Sequence, residues 1–162
     1  MSDMKAELHR VGVVPFSMRG KALALLFVTS QTRGRWIFPK GLARSGETHV
    51  ETCHREGFEE AGVRGTVLQN YPLTVVIRRR TSKGMRKVPV TYYPLLVREQ
   101  SEDWPDKDRR QRHWALIEDA PRVAHREDML LLIKQFETVA PWIKAAAEQE
   151  RSPLPDPPPP AP

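Results

Sequence analysis

Residues 41–63, GLARSGETHVETCHREGFEEAGV, constrain the fold more than any other part of the chain. From 47 to 61 the stretch has helical character, and Gly62 is a good terminator for it. At about 100° per residue, Glu56, Glu59 and Glu60 fall within one arc of roughly 100°. Val50, Cys53, Gly57 and Ala61 form a second, small-to-apolar stripe, centred about 110° from the acids by the same arithmetic. The acids therefore sit beside the buried face, not opposite it, and the small residues let the helix lie close to a sheet. Carboxylates at i, i+3 and i+4 repel one another by about 0.2–0.5 kcal/mol per pair. A cation between them removes that penalty, and hard oxygen donors suit magnesium or manganese better than zinc. An ordinary solvated face stays open on these grounds, because Glu51–Arg55 and Arg55–Glu59 have the spacing of surface ion pairs.

The remaining segments predict a sheet for this helix. Residues 8–16 and 21–30 are rich in aliphatic side chains and flank Met18-Arg19-Gly20, which reads as two strands and a short turn. Residues 36–38 form a short strand stopped by Pro39, and 40–46 a loop. Residues 63–70, 71–80 and 85–97 read as strands, the last two joined as a hairpin through Thr81-Ser82-Lys83-Gly84. A charged loop at 101–110 precedes a strand at 111–117. Met129, Leu132, Ile133, Phe136, Val139 and Ala140 recur at helical spacing within 127–149, with a break or kink expected at Pro141. The sum is a mixed sheet with one helix inserted mid-chain and another at the end, an α/β sandwich. The 162 residues suit one domain, 1–150, followed by a proline-rich tail at 151–162 that adds nothing to the core. The single cysteine, Cys53, excludes an internal disulfide. No signal-like N-terminus and no apolar run near the roughly 20 residues of a membrane span are present. The expectation is a soluble, cytoplasmic protein that does not engage a membrane.

The segment resembles the Nudix box, G-x5-E-x7-R-E-U-x-E-E-x-G-U, with U a bulky aliphatic. Gly41, Glu47, Arg55, Glu56, Glu59, Glu60, Gly62 and Val63 all fall on it, and only Gly57 departs, standing where a bulky aliphatic is usual. The resemblance implies a Nudix-type α/β/α sandwich with a mixed central sheet, and a magnesium-dependent hydrolase of diphosphate linkages, with manganese as a substitute ion. It implies Glu56, Glu60 and the Gly41 carbonyl as metal ligands, and Glu59 as either a further ligand or the acceptor of the proton from the attacking water. It implies that Arg55 orients a carboxylate and that Glu47 supports the loop–helix geometry.

Charge points the same way. The chain carries a formal +6, and residues 8–46 and 61–98 contain no acid at all. Two basic arms therefore flank the acidic helix, as suits an anionic substrate with several phosphates. The words WIFPKG, TVLQNYP, EDW and RHWALIEDA are similar to those of the diphosphoinositol polyphosphate phosphohydrolases, a branch that also acts on diadenosine polyphosphates. On that resemblance Arg10, Arg35, Lys40, Arg78, Arg80, Lys83, Arg86, Lys87 and Arg112 are the phosphate-contact candidates. His113 precedes Trp114 at a point where several Nudix branches place a functional glutamate. Trp104 is the tryptophan to examine for base stacking. Cleavage of a nucleotide or an RNA 5′ end is the alternative enzymatic reading, less favoured because no aromatic–basic stacking pattern accompanies the charge. A catalytically silent ligand sensor is a third, opposed by the intact acids.

Overall fold

A computed structural model describes residues 5–6 and 8–151. Strand β1 (Lys5–Ala6) leads to β2 (Arg10–Arg19) and β3 (Ala22–Thr29). Gly20, at φ 62°, reverses the chain between the last two, so Met18 and Arg19 belong to the strand and not to the turn. Short strands β4 (Trp36–Ile37) and β5 (Lys40–Gly41) follow. Helix α1 (His49–Ala61) comes next and ends at Gly62 in a left-handed conformation, φ 67°. Then come β6 (Val63–Val67), β7 (Leu73–Thr81), β8 (Gly84–Gln100) and β9 (Arg112–Leu116), and finally α2 (Ala120–Ala124) and α3 (Glu127–Arg151).

All nine strands join one sheet. The long β8 is its spine. It runs parallel to β2, from Arg10↔Val90 to Phe16↔Leu96, and antiparallel to β6 and β7. Strand β3 pairs antiparallel with β2, β4 and β9. The sheet is thus mixed, as expected.

Side-chain alternation assigns the two helical layers. A methyl on Gly57 of α1 would touch Leu95 and Val13, while Phe16, on the other face of β2, meets Phe136 of α3 edge-on at 5.8 Å. The sheet therefore lies between α1 and α3, the α/β/α arrangement. Gly57 now has a packing reason: it is where α1 lies against Val13, Val63 and Leu95.

Two expectations need correction. Helix α3 runs unbroken through Pro141, because Phe136, Ile143 and Ala147 are fully buried and hold both halves on the core. Helix α2 was not anticipated; Pro121, whose missing N–H costs nothing in a first turn, helps start it. Among the described residues no helix is long and apolar enough to cross a membrane. Of the expected tail, Arg151 is the last residue of α3, and 152–162 lie outside the described residues.

Candidate functional site

Helix α1 starts on a reciprocal cap. The Thr48 hydroxyl accepts the Glu51 N–H at 3.1 Å, and the Glu51 carboxylate accepts the Thr48 N–H at 3.0 Å. Just before it, Glu47 grips Arg55 with both oxygens, at 2.7 and 2.9 Å, and also accepts from the Arg44 N–H and the Thr52 hydroxyl. The Arg55 guanidinium holds the Glu47 carboxyl at about 2, well below its ordinary range. Arg55 then reaches Glu56 at 2.6 Å, Glu59 at 3.4 Å and the Leu42 carbonyl at 2.9 Å. One fork-shaped cation thus ties the loop, the helix start and two of the three clustered acids together.

Glu56 and Glu60 lie on the inward side of that cluster, both buried. Their carboxyls interact with each other in a setting poor in water, where two adjacent anions are disfavoured. Burial pushes Glu56 up and Glu60 up to about 8, with the Arg110 cation opposing the shift at Glu60 and the Glu56 charge adding to it. Glu60 also accepts the Lys40 N–H at 3.2 Å. Pairing of Lys40 with Gly12 and of Gly41 with Val11 fixes β5 against the pair. Gly41 is packed so close to the Glu56 carboxylate that any side-chain carbon there would overlap it. Glu59 is the outermost of the three, a third exposed and in reach of Arg44 and Arg55 at 3.4 Å.

This donor set fits a hard divalent cation: two carboxylates starved of solvent, a backbone that approaches them without a side chain, and a third carboxylate at the rim. Among the described residues, no three acidic, histidine or cysteine side chains converge as a complete ligand set. Glu56 and Glu60, with Gly41 beside them and Glu59 at the rim, are the residues able to hold the ion.

The basic candidates separate into three groups. Arg35, Arg78 and Lys87 line one open cleft of about 530 Å³, together with Val76, Leu131, Glu127, Asp128 and Arg126. Burial lowers the Lys40 ammonium from its ordinary value, with the Glu60 charge opposing the shift and the Arg10, Arg126 and Arg110 charges adding to it. Arg80, Lys83 and Arg86 sit near the tip of the β7–β8 hairpin, where Arg78↔Lys87 and Arg79↔Arg86 are direct cross-strand neighbours. Like charges opposite one another destabilise a ladder, so this tip favours an anion.

Arg112 is committed elsewhere. Its guanidinium donates to the Ala61 carbonyl at 3.0 Å and the Ser101 carbonyl at 2.7 Å, and it stacks 3.8 Å over the Trp104 ring. It supplies the cation that the last turn of α1 lacks, and it covers the Trp104 face considered for base stacking. His113 is exposed and packs its ring on Trp36 at 5.5 Å.

Arg110, Asp106, Arg126 and Tyr92 were missed. Arg126 is bidentate to Asp128 at 2.7 and 3.1 Å and donates to the Arg78 carbonyl, while the Tyr92 hydroxyl is buried with no hydrogen-bond partner among the described residues. The odd signal for Arg126 is the left-handed backbone of His125 before it, φ 57°, which no sequence pattern announces.

Residues 8–138 match the NUDIX domain. Nudix hydrolase 12, mitochondrial, of Arabidopsis thaliana is 34% identical over 119 residues, 70% of this chain and 58% of that protein. The diphosphoinositol polyphosphate phosphohydrolase 3-beta of Bos taurus is 36% identical over 123 residues, 75% of this chain and 71% of that protein. The chain spans under three fifths of the length of the first, and 59% of two further Arabidopsis relatives. Among solved structures, a C. elegans Ap4A hydrolase superposes with a TM-score of 0.59 at 19% identity, covering 85% of this chain and 99% of that one. That likeness is one of fold. Hydrolases carrying this domain generally use divalent metal ions.

Proposed function

The chain belongs to the NUDIX domain family, and from that premise we propose that it is a magnesium-dependent hydrolase of phosphoanhydride bonds, acting on a small substrate that bears several phosphates. The observation that supports it best is the buried Glu56–Glu60 pair against the side-chain-free Gly41, in a protein that also has a cleft lined by Arg35, Arg78, Lys87 and Arg126. A bound magnesium ion supplies charge neutralisation at the phosphates and a more acidic water. Glu56 and Glu60 would hold that ion, with the Gly41 main chain. Glu59, a third exposed at the rim, would accept the proton of the attacking water or complete the ligand set. Arg55 fixes the rotamers of Glu56 and Glu59 and keeps Glu47 ionised. The cleft cations hold the phosphates that do not react. A panel of polyphosphates, assayed with and without magnesium and resolved chromatographically, tests the reading; release that ignores magnesium refutes it.

Within the class, diphosphoinositol polyphosphates are the favoured substrates, with diadenosine polyphosphates second. The bovine relative is named for the former, and an inositol ring crowded with phosphates meets more of the cations at 78–87 than a dinucleotide with neutral adenosines does. Each exposed contact contributes about 0.2–1 kcal/mol, so several together exceed about 2 kcal/mol. Replacing Lys83, Arg86 and Lys87 with glutamine raises KM for a diphosphoinositol substrate at least about tenfold. The effect on diadenosine tetraphosphate is smaller, and added salt mimics the substitutions. Equal losses on both substrates point to the dinucleotide instead.

A further inference from the structure

The segment 101–110 has the composition of a solvated loop, yet two of its charges are among the most buried in the protein. Asp106 is 8% exposed, and the Arg110 side chain 9%. Burying an ion pair does not by itself stabilise a fold, because desolvation offsets the attraction. Their geometry gives them a different use. Arg110 has three prongs: Nε to Asp106 at 2.8 Å, Nη1 to the Thr29 carbonyl at 2.8 Å, and Nη2 to Glu60 Oε2 at 3.3 Å. Asp106 in turn donates its N–H to the Glu59 carbonyl at 3.0 Å. The loop thus grips the helix backbone at one acid and the carboxylate of the next. Glu60 Oε1 meanwhile accepts from Lys40, so the carboxylate is held from two sides by β5 and by the loop.

We propose that Arg110 is a positioning residue for Glu60, aimed by Asp106 and the Thr29 carbonyl, and that it presets the carboxylate for a divalent cation. This rests on reading Glu60 as a metal ligand. A merely nearby charge has the opposite consequence. A guanidinium beside a ligand repels a divalent cation, so on charge alone its removal tightens metal binding, whereas on positioning its removal loosens it. Lysine separates the two, since it keeps the charge and loses the rigid fork. Asp106→Asn frees the aim of Arg110 but also removes an anion, so it corroborates a loss of binding while Arg110→Lys does the separating.

The experiment is manganese binding to the substrate-free protein, read by the electron paramagnetic resonance of free Mn²⁺. Wild type is compared with Arg110→Lys, Arg110→Gln and Asp106→Asn, and each variant is checked by thermal unfolding. Positioning predicts that all three weaken binding by about tenfold or more, the scale for partners that orient metal ligands. It also predicts that excess magnesium restores kcat in Asp106→Asn while KM for the phosphate substrate at saturating metal stays at the wild-type value. Unchanged binding in Arg110→Lys and Asp106→Asn, or tighter binding in Arg110→Gln, overturns it. If the Arg110 variants do not fold, Asp106→Glu, which keeps both charges and displaces the carboxylate that aims Arg110, decides in their place. Failure of wild type to bind manganese removes the metal reading itself, whereas binding by wild type and variants alike removes only the role of Arg110.

Discussion

Glu47 and Glu60 are one residue type at opposite ends of the same helical segment, and their surroundings drive their protons in opposite directions. Glu47 lies in the loop that leads into α1 and takes Arg55 on both of its oxygens, which holds it at about 2. Glu60 lies in the last turn, sealed from water beside a second carboxyl, which lifts it to about 8. The first is a satisfied structural acid. The second is an acid stored in a state it does not prefer, stabilised fully only when a cation replaces the proton. A structural and a reactive carboxylate are thus separated by their partners and not by their spacing.

The largest expected effect comes from removing the reactive end. Glu56→Gln or Glu60→Gln lowers kcat by at least about a hundredfold, the scale for losing a principal electrostatic group. Glu47→Gln lowers it by about tenfold or less, because Arg55 keeps its contact with Glu56. Steady-state turnover at saturating magnesium checks both; equal losses at 47 and 60 erase the distinction. Next in size is Gly41→Ala. Its methyl group enters space held by the Glu56 carboxylate, so metal affinity falls by about tenfold while the melting temperature moves little. A direct manganese titration reads the first, and a lost fold shows the glycine to be structural instead.

The pH dependence of stability sharpens the comparison further. Glu47 is depressed from its ordinary 4.5 to about 2, so it contributes stability that is complete above about pH 4.5 and is lost as pH falls through 2. Glu60 is raised from 4.5 to about 8, so its contribution is complete below about pH 4.5 and is lost as pH rises through 8. Thermal unfolding in EDTA therefore shows an alkaline decline that Glu60→Gln removes. Excess magnesium removes it as well, because the metal binds the deprotonated form. A decline unchanged in Glu60→Gln assigns it to another group.

The sequence made one half of this contrast easier to read than the other. The box spacing names a local constellation, since helical periodicity brings Arg55, Glu56, Glu59 and Glu60 together and the resemblance adds Gly41 and Glu47 just ahead of the helix. Strand order was legible in type, because β-branched runs and glycine turns mark β2, β3, β7 and β8. The parallel pairing of β2 with β8 was not, since it joins residues about 80 positions apart through no local signal. Arg110 and Asp106 were invisible for the same reason: in a loop full of arginine and aspartate, only the fold tells which two are buried. The contacts of Arg112 with the Ala61 and Ser101 carbonyls were equally hidden, since they join residues far apart in the chain.

The smallest expected effect lies at the structural end. Thr48→Ala deletes the hydroxyl that accepts the Glu51 N–H and leaves the reciprocal half of the cap, from the Thr48 N–H to the Glu51 carboxylate, in place. Loss of an N-cap costs about 1 kcal/mol, which lowers the melting temperature of a chain of this size by about 2–4 °C. The catalytic end lies in the last turns of α1, held by the Arg55 fork, by β5 through Lys40, by the loop through Asp106 and by β9 through Arg112. Those anchors do not pass through Thr48. Turnover in Thr48→Ala therefore stays within about twofold of wild type while urea and thermal unfolding both shift, since fraying is confined to the terminal turn. A tenfold fall in kcat with an intact fold shows instead that the two ends of the helix are mechanically coupled, and that the cap belongs to the site.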